Sequence, residues 1–188
     1  MKKLETERLV LRSFKEEDLK DFYEYAKSPN VGPNAGWKPH ESEEETLQIL
    51  TRFMEHDNVW AIELKDSHKV IGSLGLHDDE KRTNINGKMI GYVLSDKYWG
   101  RGIMTEAVKA VMEYAFEEEN YDILTVYHYV GNKKSKRVIE KCGFKYEGKL
   151  RFASRLYNGE VVDDLCYSLS KNEYLEIKSY REKIFIYK

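Results

Sequence analysis

The stretch Tyr92-Val93-Leu94-Ser95-Asp96-Lys97-Tyr98-Trp99-Gly100-Arg101-Gly102-Ile103-Met104-Thr105-Glu106-Ala107 decides how the chain is read. It is the end of a strand, a short loop with a Gly-x-Gly, and the start of a helix. After Gly102 the apolar residues fall at helical spacing, at Ile103, Ala107, Val108, Val111, Ala115 and Phe116. Two glycines let the backbone approach a ligand with no Cβ in the way. Unpaired N–H groups at a helix start, with the positive end of its dipole, suit a pyrophosphate. The same letters also serve as an ordinary tight turn. Two better-known phosphate signatures fail here. A P-loop needs Lys and Ser/Thr after its last glycine, where Ile103-Met104 stand, and a dinucleotide fingerprint needs a third glycine where Thr105 stands.

Upstream of this stretch the period is that of strands. Asn86-Gly87 is the strongest turn signal in the chain and leads into a strand over residues 88–94. Gly91 inside it predicts a bulge or a close backbone approach by a ligand. Residues 59–64 and 70–76 form two more strands around a hairpin-like break at 65–69. Residues 8–12 alternate as a first strand. Ser13 with Glu16 resembles a capping box for a helix carrying Phe14, Leu19, Phe22, Tyr23 and Ala26. A loop over 30–40, with Pro29, Pro33 and Pro39 in it or at its edge, precedes a second helix after Ser42. Downstream, residues 123–130 are rich in strand formers, and residues 132–143 form a compact helix with an Asn cap and a Gly stop. Residues 144–150 and 161–169 predict two last strands around Tyr157-Asn158-Gly159. The amphipathic residues 178–188 fit strand and helix equally.

Composition narrows the function classes. In 188 residues, 31 basic and 33 acidic groups leave a net charge of −2, so there is no global electrostatic footprint for nucleic acid or an anionic membrane. An anionic ligand must be held locally. The length suits one domain spanning 1–188. Cys142 and Cys166 lack the spacing of a metal site or a disulfide framework, and no metal is expected. Met1-Lys2-Lys3-Leu4-Glu5-Thr6-Glu7-Arg8 opens no signal-peptide run, and no stretch is apolar enough for a membrane span, so a cytoplasmic setting is the expectation.

With the order of elements in place, the loop Lys97-Tyr98-Trp99-Gly100-Arg101-Gly102 resembles motif A of the GNAT acetyltransferases (Q/R-x-x-G-x-G/A), departing from it at Lys97. The wider pattern is similar to the ribosomal-protein alanine acetyltransferase branch. It matches at residues 4–12, at Gly36-Trp37-Lys38-Pro39-His40, at Ile71-Gly72-Ser73 and at Thr105-Glu106-Ala107. It matches again at Asn132 and Ser135, at Glu140-Lys141-Cys142-Gly143-Phe144, and at Asn158-Gly159 with Asp163. The likeness spans about residues 4–176, and residues 177–188 form an extension to which it assigns no role.

The resemblance implies an α/β fold. Its sheet would be mixed, mostly antiparallel and twisted, with about seven strands splayed at the centre and about four helices around it. It implies acetyl-CoA as co-substrate, bound at the pyrophosphate by backbone amides of Trp99, Gly100, Arg101, Gly102, Ile103, Met104 and Thr105. The pantetheine arm would lie along Tyr92, Val93 and Leu94, with a Leu94-region N–H polarising the thioester carbonyl. Asn132 would touch the pantetheine, although from its position it also reads as a helix cap. Ser135 would protonate the departing thiolate, or serve only as a first-turn hydroxyl. For the amine acceptor, Trp37 and His40 in the loop, with His77 and Asp163, are the candidates for its pocket. No spacing singles out a general base. The acceptor stays open between a protein N-terminus and a small-molecule amine, and the assembly between monomer and homodimer. The rival reading is a CoA-binding sensor module without turnover.

Overall fold

The structure is a computed structural model and describes residues 1–186. Its centre is an eight-stranded sheet in the order β1-β2-β3-β4-β5-β6-β8-β7. The strands are β1 (Leu4–Glu5), β2 (Leu9–Ser13), β3 (Val59–Leu64), β4 (Val70–His77), β5 (Gly87–Leu94), β6 (Ile123–Tyr129), β7 (Lys145–Arg155) and β8 (Val161–Ser170). Every pairing is antiparallel except β5 with β6. The α-helices are α1 (Leu19–Ala26), α2 (Glu43–His56), α3 (Ile103–Glu113), α4 (Lys133–Cys142) and α5 (Lys171–Ile186).

Strands β3 to β5 are covered on both faces, which is why they read as nearly continuous apolar runs. Leu74, Leu76, Ile90 and Leu94 join Val108, Val111, Phe116 and Leu124 in one core. Val59, Ala61 and Val70 join Phe14, Phe22, Tyr25 and Leu50 in a second, under α1 and α2. Alternation along each strand sends successive side chains to the two cores. Burying one such side chain is worth roughly 1.5–3 kcal/mol.

The element count exceeds the sequence expectation by a two-residue strand and a helix. β1 is too short for a periodicity signal, and it exists because Leu4 and Glu5 pair with Leu11 and Val10. The ambiguous tail becomes part of α5, whose Tyr174 ring stacks on Phe116 at 4.8 Å while Ile177 packs against the larger core. Residues 187–188 lie outside the described residues.

Two local expectations are corrected. Ser13 does not cap a helix: pairing with Trp60 keeps it in β2, and its hydroxyl donates to Asp57 Oδ1 at 2.6 Å. The turn before α1 is instead held by Asp18, whose carboxylate accepts the Lys15 N–H at 2.8 Å. Gly91 makes no bulge against β4, because the β4–β5 register is regular from Gly72↔Leu94 to His77↔Met89 and places Gly91 opposite Gly75.

Candidate active site

The sheet opens between β5 and β6. The two strands pair only at Gly87↔Ile123, Lys88↔Leu124 and Met89↔Thr125. Beyond that, β6 follows β8, to which it is paired along its whole length from Ile123 to Tyr129. The remainder of β5 therefore has one open edge. Its phase follows from one bond: Ser95 N–H donates to Ile71 C=O at 2.8 Å. In an antiparallel ladder that assigns the odd positions of β5 to β4 and turns the N–H and C=O groups of Tyr92 and Leu94 toward the opening. Val93 points its backbone the other way, into β4. The Leu94 carbonyl accepts Trp99 Nε1–H at 2.9 Å, tying the open edge to the loop that follows.

A cleft of about 1070 Å³ runs through this opening. One end lies against the Gly-x-Gly loop. Gly100 and Gly102 have φ of 78° and 75°, a left-handed conformation in which a side chain is strained, and Gly102 is the N-cap residue of α3. Arg8 Nη1 donates to the Arg101 carbonyl at 3.0 Å. In a trans peptide the next N–H points opposite to that carbonyl, so this bond aims the Gly102 amide away from Arg8. Glu106 anchors the arrangement, accepting from Thr6 Oγ1 at 2.6 Å and from Arg8 Nε at 2.7 Å. Trp99, Gly100, Gly102, Ile103, Met104 and Thr105 line the cleft; Arg101 does not, and its guanidinium lies 5.3 Å from the Tyr98 ring centroid.

Helix α4 forms the wall opposite β5. Asn132 caps it, its Oδ1 accepting Ser135 N–H at 3.1 Å, while its Nδ2 donates to Asn34 C=O at 3.1 Å. The amide therefore also ties α4 to the loop between α1 and α2. Ser135 Oγ is 2.8 Å from the Tyr92 hydroxyl, so the two form a hydroxyl pair across the cleft. Burial pushes the Tyr92 phenol above its ordinary range, which keeps its proton available for donation. Lys134, Arg137 and Lys141, on the exposed side of α4, also line the cleft, and the Lys134 ammonium lies 3.4 Å from the Trp99 ring centroid. None of the three is in an ion pair among the described residues, whereas Lys136 on the same helix pairs with Glu140.

The other end of the cleft is aromatic. Phe22, Trp37, His40 and Phe53 line it, with the Trp37 and His40 rings 5.1 Å apart. Gly36 holds the loop in place: at φ 89° it lies so close to Tyr129 that a Cβ would come within 2.3 Å of the hydroxyl. Thr46 Oγ1 donates to Ser42 C=O at 3.0 Å, so at 2.9 Å from His40 Nδ1 it must act as acceptor. That assigns the proton of neutral His40 to Nδ1 and leaves Nε2 as an acceptor. Burial lowers the pKa of His40, and also of His77, whose ring lies over Gly75 and Gly91. Both histidines are neutral near pH 7.

Asp163, expected in the acceptor pocket, is not among the lining residues. Its Oδ1 accepts Phe152 N–H at 2.9 Å and its other oxygen pairs with Lys149 at 3.1 Å. Asp164 lines the cleft instead, because successive residues of β8 face opposite sides of the sheet. It is 4% exposed and accepts Ser154 Oγ–H at 3.0 Å.

Several lining residues escaped the sequence reading. Lys134, Arg137 and Lys141 recur three and four apart on one helix face, a spacing visible in the letters. Tyr127 and Tyr129 share one face of β6 by alternation. Nothing in the local sequence of Lys81 or Asp164 marks them: the pairing of β8 with β6 sets the face of Asp164, and the loop between β4 and β5 brings Lys81 to it.

Comparison with known proteins agrees with this geometry. Residues 8–145 match the model of the acetyltransferase (GNAT) domain. The uncharacterized N-acetyltransferase YoaA of Bacillus subtilis is 28% identical over 177 residues, covering 89% of this chain and 96% of that one. A GNAT-family acetyltransferase structure from Bacillus anthracis superposes with a TM-score of 0.82 at 24% identity, over 92% of this chain and 100% of that one. The ribosomal-protein-S5-alanine acetyltransferase of Vibrio fischeri shares the fold with a TM-score of 0.71 at 22% identity, over 93% and 99% of the two chains. Among the described residues no helix is long and apolar enough to cross a membrane, and no group of three His, Cys, Asp or Glu side chains could hold a metal ion. An open-edged β5, a left-handed Gly-x-Gly at the start of α3 and the match over residues 8–145 have one common reading: the chain belongs to the GNAT acetyltransferase domain family and is an acetyl-CoA-dependent acetyltransferase.

Proposed function

We propose that the chain transfers the acetyl group of acetyl-CoA directly to a primary amine held at the aromatic end of the cleft. The observation that carries this reading is the open edge of β5, which lies between an anion-binding end and an aromatic end. The residues fit the co-substrate in kind. The amides around Gly100 and Gly102 suit the pyrophosphate, and Lys134, Arg137 and Lys141 add the positive charge that the whole chain lacks. The N–H groups of Tyr92 and Leu94 and the C=O of Tyr92, turned toward the opening, suit an amide-bearing arm that pairs like an added strand.

The same edge supports a direct-transfer chemistry. Leu94 N–H donates to the thioester carbonyl oxygen as it gains negative charge. The amine nitrogen bonds to the carbonyl carbon, the C–S bond breaks, and the Ser135–Tyr92 hydroxyl pair gives a proton to the sulfur. The amine must arrive neutral or lose its proton in the cleft. His77, neutral and facing the cleft, is the group we assign to receive that proton, directly or through water. The acceptor is a primary amine, either a small molecule or a peptide N-terminus, used in the cytoplasm.

Incubation with acetyl-CoA and a panel of amines, followed by detection of free thiol and by the mass of the product, tests the reading. Thiol release that depends on the amine, with an acetyl group added to it, is the expected result. Tight acetyl-CoA binding without thiol release for any amine or peptide would leave the sensor alternative.

A further inference from the structure

The loop between β4 and β5 sends Lys81 back into the cleft. Its ammonium lies 4.0 Å from the Tyr127 ring centroid and 3.7 Å from Asp164 Oδ2. The ring is fixed, since the Tyr127 hydroxyl donates to Asp79 at 2.7 Å. The carboxylate is fixed as well, accepting Ser154 Oγ–H on both oxygens at 3.0 and 3.1 Å. Among the described lining residues Asp164 is the one carboxylate, and it is almost wholly buried, whereas the Lys81 side chain is 36% exposed. A ring face and a buried carboxylate are what an alkylammonium needs. Here a partly exposed lysine, chemically an alkylammonium, fills that position.

We propose that Tyr127 and Asp164 form a subsite for an alkylammonium group of the acceptor, and that Lys81 is the internal occupant which the acceptor displaces. The inference rests on the amine-acetylation reading above and narrows its substrate class. A carboxylate beside an amine favours the charged form, so the group held there keeps its proton and cannot attack the thioester. It anchors the acceptor. The nucleophile is a second amine on the same molecule, reacting at the open edge of β5, where His40 and His77 are neutral. That second amine takes the acetyl group and loses a proton, and the thiolate leaves and is protonated. The acceptor is thus an amine carrying a further alkylammonium, either a small diamine or a peptide with a lysine close to its N-terminus.

The test compares kcat/KM for putrescine with n-butylamine, which has the same chain and one ammonium, and for an Ala-Lys peptide with its Ala-norleucine counterpart. We expect a preference of about tenfold for the doubly charged member of at least one pair, and the pair that shows it names the source. Asp164→Asn abolishes that ratio by lowering kcat/KM for the charged member. Lys81→Met, which keeps most of the stem and removes the competitor, lowers KM for the same member by about threefold. A purely structural ion pair predicts the opposite sign for Lys81→Met and equal losses within each pair for Asp164→Asn. No preference in the parent for either pair, or equal losses in Asp164→Asn, overturns the proposal; if that variant does not fold, the sign of Lys81→Met decides. Should no amine be acetylated although acetyl-CoA binds, the transferase reading fails. Calorimetric binding of putrescine to the parent and not to Asp164→Asn then decides the ammonium subsite separately.

Discussion

The two ends of the cleft are built on different principles. At the Gly-x-Gly end, recognition comes from backbone: amides at the start of α3, the open N–H and C=O groups of β5, and left-handed glycines that leave them accessible. The segments involved are contiguous, from Tyr92 to Thr105, with α4 added alongside. At the aromatic end, recognition comes from side chains of distant segments: Trp37 and His40 from the loop after α1, His77 from β4, Tyr127 from β6 and Asp164 from β8. Backbone sites tolerate changes of residue as long as the conformation survives. Side-chain sites change specificity with single substitutions. A fold that keeps one ligand constant while varying another is served by this division.

The largest effect is expected where the two ends meet. If the Ser135–Tyr92 hydroxyl pair protonates the departing sulfur, Ser135→Ala lowers kcat by about a hundredfold, while the Kd for acetyl-CoA moves little. Single-turnover kinetics read both quantities. An unchanged chemical step would reduce Ser135 to a first-turn residue of α4 and assign the proton to Tyr92 alone.

A smaller loss is expected from Gly102→Val, which tests the backbone end. At φ 75° a β-branched residue is strained, although a Cβ there would meet nothing closer than Arg8 Nη2 at 3.7 Å. The loop must therefore shift to relieve the strain, and acetyl-CoA affinity should fall roughly tenfold or more, on a strain of about 1–3 kcal/mol. Calorimetry with acetyl-CoA measures this. Affinity equal to the parent's would mean that the amides at α3 do not hold the pyrophosphate.

Trp37→Ala tests the side-chain end and should act on the acceptor alone. Loss of the ring opposite His40 raises KM for the amine by about fivefold, within the range of removing one apolar wall. Acetyl-CoA binding serves as the internal control. Thermal unfolding must accompany it, because the half-buried Trp37 packs on Gly32 and its truncation costs stability, though less than the roughly 3–5 kcal/mol of a fully buried aromatic.

The mildest contrast is in pH. Burial holds His40 and His77 below the ordinary histidine pKa of about 6.5, so the unfolded chain binds protons there before the folded one does. Their neutral forms contribute full stability above that pH, and the contribution is lost as pH falls from about 6.5 through their lowered folded values. His77→Gln should flatten this part of a plot of Tm against pH, whereas substitutions on α4 should leave its slope as it is. An identical slope in His77→Gln would show that His77 titrates as a solvent-exposed group.

How far the letters carried the reading can be judged from the same two ends. Helix α3, its glycine start and the Asn132 cap of α4 are local features, set by φ preference, apolar period and a side chain three residues from its partner. They were legible because nothing distant competes with them. The acceptor end was legible only in part. Trp37 and His40 stood out in a proline-rich loop, but Asp163 was expected where Asp164 stands, because which face of β8 meets the cleft depends on its register with β6 and β7. The Gly91 bulge was a local reading of what is a tertiary event: β6 departs from β5 because it remains paired to β8.

Sequence by itself determined the order of elements from β2 to β8, the glycine start of α3 and the family pattern, since each depends mainly on residues within a few positions of one another. Tertiary structure alone decided where the sheet opens, which carboxylate faces the cleft, and that Lys81 lies between Tyr127 and Asp164. The physical reason is range: backbone preferences act within a turn or a strand, whereas register and the approach of charges belong to the packed sheet as a whole.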